Sequence, residues 1–210
     1  MARPRLISDE QIISTTRTCV LERGPHVSID TIAERLGVTG PALLKRFGNR
    51  QELLLKALMP DPSAPWLKRF DAAPDARPLE AQLREHLQVT WDFFLEMIPC
   101  VTALRESGIP QERMWPSKHE GPLRAMQAVA KWLVRARDLG VAQLSAPDAV
   151  AAAMLGAIQH HAFTTYIVNK SFSTRSSREF LDDLAAFFAR ALAPERPVRK
   201  SVSPRTRKSK

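Results

Sequence analysis

Two cysteines, eight glycines and one tyrosine among 210 residues leave several architectures without material. Cys19 and Cys100 are too few and too separated for a disulfide framework, and each falls in an apolar stretch that suits a small core hydrophobe better than a reactive thiol. No His or Cys cluster stands at ligand spacing: His160 and His161 are neighbours, which on a helix point about 100° apart and serve one ion badly. No metal site and no cofactor are expected. A Gly-rich phosphate loop and a Ser-nucleophile motif are missing too, so a catalytic centre is not expected. No run approaches the roughly 18 apolar residues of a membrane span, and no long apolar stretch follows the N-terminal arginines, so the expected place is the cytoplasm, away from membranes. With β-branched alternation also scarce, the class expected is all-α.

What the chain does have is a 44% hydrophobic content, enough for a real core, and a net charge of +9 that is unevenly placed. Residues 1–50 carry eight basic and five acidic side chains, 51–193 sixteen of each, and 194–210 seven against one. The excess therefore sits at the ends. The C-terminal stretch, with three prolines and no apolar periodicity, reads as a disordered basic tail, and Arg3 and Arg5 form a short basic arm. Both would be drawn to polyphosphate without regard to sequence.

Between them, residues 8–59 read as four helices. Ser8 caps the first, whose stripe is Ile12, Ile13, Thr16, Cys19, Val20 and Arg23, and Gly24-Pro25 closes it. Ser28 caps a second with Ile29, Ile32, Ala33 and Leu36 on one side, and Gly37 permits a sharp reversal. Thr39 then caps a third, Pro41 lies in its first turn, and Leu43 and Phe47 anchor it one turn apart. This is the pattern of a helix-turn-helix reader of double-stranded DNA. Its expected contact residues are Ser28, Thr39, Gly40, Pro41, Ala42, Leu44, Lys45 and Arg46, followed by Asn49 and Arg50 at the start of the fourth helix. Asn49 and Glu52 have the spacing of a capping box, and a cation such as Arg50 at a helix N-terminus opposes the dipole, which suggests an outside phosphate.

Glu22-Arg23-Gly24, the run Ile32-Ala33-Glu34-Arg35-Leu36-Gly37-Val38-Thr39-Gly40, then Leu43, Phe47 and Asn49-Arg50-Gln51-Glu52-Leu53-Leu54 closely resemble the tetracycline-repressor-like (TetR) family of bacterial transcription regulators. The resemblance covers roughly the first 60 residues. Leu44 and Arg46 depart from the family pattern, standing where aromatic residues are usual, while Arg50 takes the place of a usual Lys and keeps its charge. Arg46 offers a direct phosphate pair in exchange. The resemblance implies a homodimer on a palindromic operator and a cavity between central helices, where a small effector changes the spacing of the two reading heads.

The remainder divides as a helical ligand-binding and dimerisation domain over 51–193, with the DNA-binding domain over 1–50 and the tail over 194–210. Its expected helices are 79–98, broken or kinked at Pro99, then about 123–139, about 145–169 and about 177–192, with a loop or broken helix over 108–122 and a Ser-rich connector between the last two. Trp91, Phe94, Met97, Trp115, Met126, Trp132, His160 and Phe163 are the candidate effector-pocket residues. The last two helices are apolar on more than one side, which makes Leu155, Tyr166, Phe180, Leu184, Phe187 and Phe188 candidates for a dimer interface, with burial inside one chain as the alternative. The expected function is a ligand-released repressor. A nucleoid-like protein that coats DNA through charge is the competing reading, and an all-helical binding protein or enzyme the third.

Overall fold

The computed structural model describes residues 7–59, 65–115, 121–168 and 176–194. Ten helices occupy them: α1 Asp9–Arg23, α2 Ile29–Leu36, α3 Gly40–Phe47, α4 Arg50–Leu58, α5 Pro65–Lys68, α6 Leu79–Glu106, α7 Gln111–Met114, α8 Pro122–Asp138, α9 Pro147–Val168 and α10 Ser177–Ala191. Among the described residues there is no strand. Arg3, Arg5, the Ser-rich connector and the basic tail beyond residue 194 lie outside the described residues.

The helix boundaries follow the caps. Ser8 and Gln11 form a reciprocal capping box at α1, Ser28 Oγ accepts from the Thr31 N–H, and Thr39 Oγ1 accepts from the Ala42 N–H. Each such cap satisfies an orphan donor and contributes about 1 kcal/mol. Gly37 ends α2 in the left-handed conformation at φ 67°, which lets α3 start within three residues. Asn49 caps α4 by accepting from the Glu52 N–H, but Glu52 does not complete the expected box: its carboxylate turns to Arg113 on α7.

Two hydrophobic cores result, and α6 belongs to both. The first joins Ile12, Val20, Ile32, Leu43, Phe47, Leu53, Leu54 and Leu58 to Cys100, Ala103, Leu104, Ile109 and Met114. The second joins Leu83, Leu87, Trp91, Phe94 and Ile98 to Trp132, Leu133, Met154, Ile158, Leu181 and Phe188 from α8, α9 and α10. The handover falls at Pro99, between Ile98 and Cys100. No break occurs there, contrary to the sequence expectation: α6 continues for 28 residues. Pro99 deprives the Leu95 carbonyl of its usual donor, but Leu95 is 41% exposed, so that side of the helix faces water, while buried neighbours hold the helix on both sides.

The first core thus extends past residue 50, through α4 and into the far end of α6. By length and composition α6 is apolar enough to cross a membrane, yet in this fold it is the central helix, packed on α1, α4, α9 and α10.

Candidate functional site

The α2–α3 unit presents one face outward. Leu43 and Phe47 are buried, whereas Thr39, Pro41, Ala42 and Lys45 are exposed and Leu44 is half-buried. Lys45 has no partner among the described residues, so its ammonium is available to a phosphate or base edge. Ser28 and Asn49 are exposed at the starts of α2 and α4, with their side-chain oxygens engaged as caps.

Three expected contact residues have other duties. Gly40 is buried, and a Cβ there would stand 2.3 Å from Asp30 Oδ1 and 3.3 Å from Ile29 Cγ2, so its bareness lets α2 and α3 approach. Arg50 is half-buried and donates to the carbonyls of Pro25 and, at 3.2 Å, of Val27: it ties down the α1–α2 turn instead of reaching out for phosphate. Those carbonyls have no helical partner and need a donor. Arg46 is exposed, but its Nε pairs with Asp9 Oδ1 at 2.5 Å and it donates to the Ile7 carbonyl at 2.6 Å. An exposed pair of this kind is worth at most about 1 kcal/mol, so a phosphate can compete with Asp9 for it.

The headpiece is fastened to α6 by hydrogen bonds as well as packing. Arg17 on α1 donates to the Ala57 carbonyl and to Glu96 Oε1, each at 2.7 Å, so one guanidinium joins α1, α4 and α6. Ser107 Oγ, just past α6, reaches the Pro25 carbonyl at 3.2 Å, and Arg113 on α7 donates to Gln51 Oε1 at 2.7 Å and pairs with Glu52. The far third of α6, α7 and the headpiece therefore form one block.

A cavity of about 660 Å³ lies where this block meets the second core. Met59 and Met114 reach it from the first core, and Phe94, Ile98, Ala125 and Leu155 from the second or its flank. The open side runs along α9, where exposed Ala152, Gly156, Gln159 and Phe163 line it. Trp115 packs against Gly121, whose missing Cβ would lie 2.4 Å from the indole nitrogen.

Residues 12–57 match the family model described as bacterial regulatory proteins, tetR family. The matched segment is α1 to α4, which is similar to the DNA-binding domain of that family. Solved structural relatives of the chain share the fold at low identity. A TetR transcription regulator from Haloarcula marismortui is 18% identical, with 89% of this chain and 98% of that one covered and a TM-score of 0.66. SmeT, the repressor of the Stenotrophomonas maltophilia multidrug efflux pump SmeDEF, is 19% identical over 90% and 92% with a TM-score of 0.62. A SmeT–triclosan complex gives 17%, 89%, 92% and 0.58. No curated protein sequence matches.

Of the expected pocket residues, Phe94, Met97, Trp115, Met126 and Phe163 line the cavity; Trp91, Trp132 and His160 do not. Trp91 lies tilted against His161 and Trp132 meets His86 edge-on, both inside the second core, and His160 is exposed. Burial pushes His86 down to about 4, and His161, sandwiched between Trp91 and Phe180, is lowered for the same reason. Burial raises the Cys100 thiol, which leaves it an inert core group.

Three expected interface residues are occupied within the chain: Phe180 stacks on His161 at 4.0 Å, Phe188 is buried in the second core, and Leu155 faces the cavity. Leu184 is half-buried against the same core, while Tyr166 and Phe187 are exposed. Sequence reasoning missed Met59, Trp66, Phe93 and Arg105 as cavity residues. Phe94, Ile98, Thr102 and Arg105 share one helical face by spacing alone, but placing a break at Pro99 hid the last two.

Proposed function

We propose that this regulator is a homodimeric, cytoplasmic repressor that holds a palindromic operator through α2 and α3 and lets go when a small apolar or aromatic effector enters the cavity. The observation that carries the reading is the cavity's position across the two cores. A ligand there touches Met59 and Met114 on the headpiece side and Phe94 and Ala125 on the other, so filling it favours one setting of the headpiece block over another. A decisive switch needs about 5.5 kcal/mol of differential affinity, within reach of an apolar ligand buried on several sides.

The exposed apolar surface supports dimerisation. Phe163, Tyr166, Ile167, Val168 and Phe187 are all at least 40% exposed at one end of α9 and on α10, and a second copy packed there would cover them while placing two reading heads on adjacent half-sites.

The test is recovery of bound duplexes from a genomic library at physiological salt, using the full chain and a version ending at Ala193. One palindrome recovered by both supports the repressor. Binding that disappears with the tail and enriches nothing favours charge-driven coating of DNA and overturns it.

A further inference from the structure

We propose that the cavity selects an anionic amphiphile, an apolar or aromatic body bearing a carboxylate or similar head, with Arg105 as the head-group contact. The proposal rests on reading the cavity as the effector site. Among the described residues that line it there is no Asp or Glu, and the two charged side chains, Arg105 and Arg124, are both cations. The Arg105 side chain has no hydrogen bond or ion pair among the described residues, in contrast to those of Arg17, Arg46, Arg50 and Arg113, each of which is held by a carbonyl or carboxylate. It is exposed, so it stands where the cavity meets water. An unpaired guanidinium beside Met, Trp and Phe walls offers a planar two-donor fork to a carboxylate and repels a cation.

The rest of the wall has the same bias. Trp66 is 8% exposed, lines the cavity, and has no partner among the described residues for its indole N–H, a group that can only donate. The first residues of the 17-residue helix α8 also line the cavity, without a side-chain cap. Its positive end adds to the field of the two arginines. A neutral effector would leave the Arg105 guanidinium and the Trp66 indole N–H unanswered, and a cationic one would be opposed by the positive charge of the wall.

The placement also gives the anion leverage. Arg105 follows Leu104 on the part of α6 that packs in the first core, whereas Arg124 precedes Ala125 in the second, so a head group between them would bridge the two blocks.

The experiment is a tryptophan-fluorescence titration of the full chain, which reads Trp66 and Trp115 in the cavity wall, with decanoate, decan-1-ol and decyltrimethylammonium below their aggregation limits at neutral pH. Decanoate is expected to bind at least about tenfold more tightly than decan-1-ol, with the ammonium weakest. Arg105→Gln should lose about that factor for decanoate and keep decan-1-ol within about twofold, and Arg105→Lys should fall between. Equal affinity of the wild type for decanoate and decan-1-ol overturns the anion preference and leaves the cavity as effector site. An Arg105→Gln loss shared by both probes removes Arg105 as the head-group contact. Binding of none of the three overturns the effector site itself.

Discussion

The two cores share α6 and differ in how they are finished. In the headpiece core the apolar side chains are mainly aliphatic, and the polar groups at its edge are answered: Arg17, Arg50 and Ser107 each donate to a backbone carbonyl that no helix satisfies. Thr16 Oγ1 is its one buried side-chain atom without a protein partner among the described residues. The second core is rich in rings, leaves Trp66 Nε1, His86 Nδ1, Arg135 Nε and His161 Nε2 without protein partners among the described residues, and borders the cavity. Each such group costs about 1–3 kcal/mol of desolvation. On the proposed reading, the surface that meets DNA at fixed geometry is held rigid, while the region that accepts a ligand carries unused donors and space.

The largest test of that contrast removes a leucine from each end of α6. Leu104→Ala in the first core and Leu87→Ala in the second are each expected to lower stability by about 2–5 kcal/mol. All four tryptophans, at 66, 91, 115 and 132, lie in the second core or the cavity wall. Because α6 runs unbroken through both cores, fluorescence and far-ultraviolet circular dichroism should report one coincident transition in urea; a separate headpiece transition for Leu104→Ala would show the cores to be independent.

A second test uses pH and addresses the second core alone. His86 lies near 4 in the folded chain against 6.5 when free, so the fold prefers it neutral. Stability is therefore fully present above about pH 6.5 and is lost as pH falls toward 4, by about 2 kcal/mol between pH 6.5 and pH 5 and about 3 in all. Urea midpoints at pH 7 and pH 5 measure it, and His86→Phe should flatten most of the dependence, with His161 supplying the remainder.

Smaller effects separate fastening from DNA contact in the headpiece. Arg50→Ala is expected to cost about 1–3 kcal/mol, because the Pro25 and Val27 carbonyls lose a donor. A phosphate anchor would instead leave the urea midpoint unchanged and reduce the salt slope of DNA binding by about 1. Lys45→Ala should do the second and not the first: weaker DNA binding at unchanged stability. Arg46→Ala should show a little of each, since Asp9 holds it only at the surface.

The comparison also explains how far the chain could be read without coordinates. Ser8, Ser28, Thr39 and Asn49 all cap where their positions suggest, because capping is a matter of a few neighbouring atoms. The stripes Ile32 with Ala33, and Leu43 with Phe47, are buried as their spacing requires. Pro99 misled because the propensity of one residue was weighed without the burial on either side that overrides it. Arg50 misled for a related reason: its true partners, the carbonyls of residues 25 and 27, are more than twenty residues away in the chain. Trp91 and Trp132 are aromatic at helical spacing, and nothing local tells a core ring from a cavity ring.

Local sequence therefore determined the helical class, the α2–α3 reader and the charge at its ends, since caps, turns and periodicity act over three or four residues. Tertiary structure alone decided that α6 serves two cores, that Arg17 and Arg50 are fasteners, and that Arg105 stands unpaired in a cavity wall. Those outcomes depend on which distant carbonyls, carboxylates and rings come within a few ångströms, and periodicity carries no such distances.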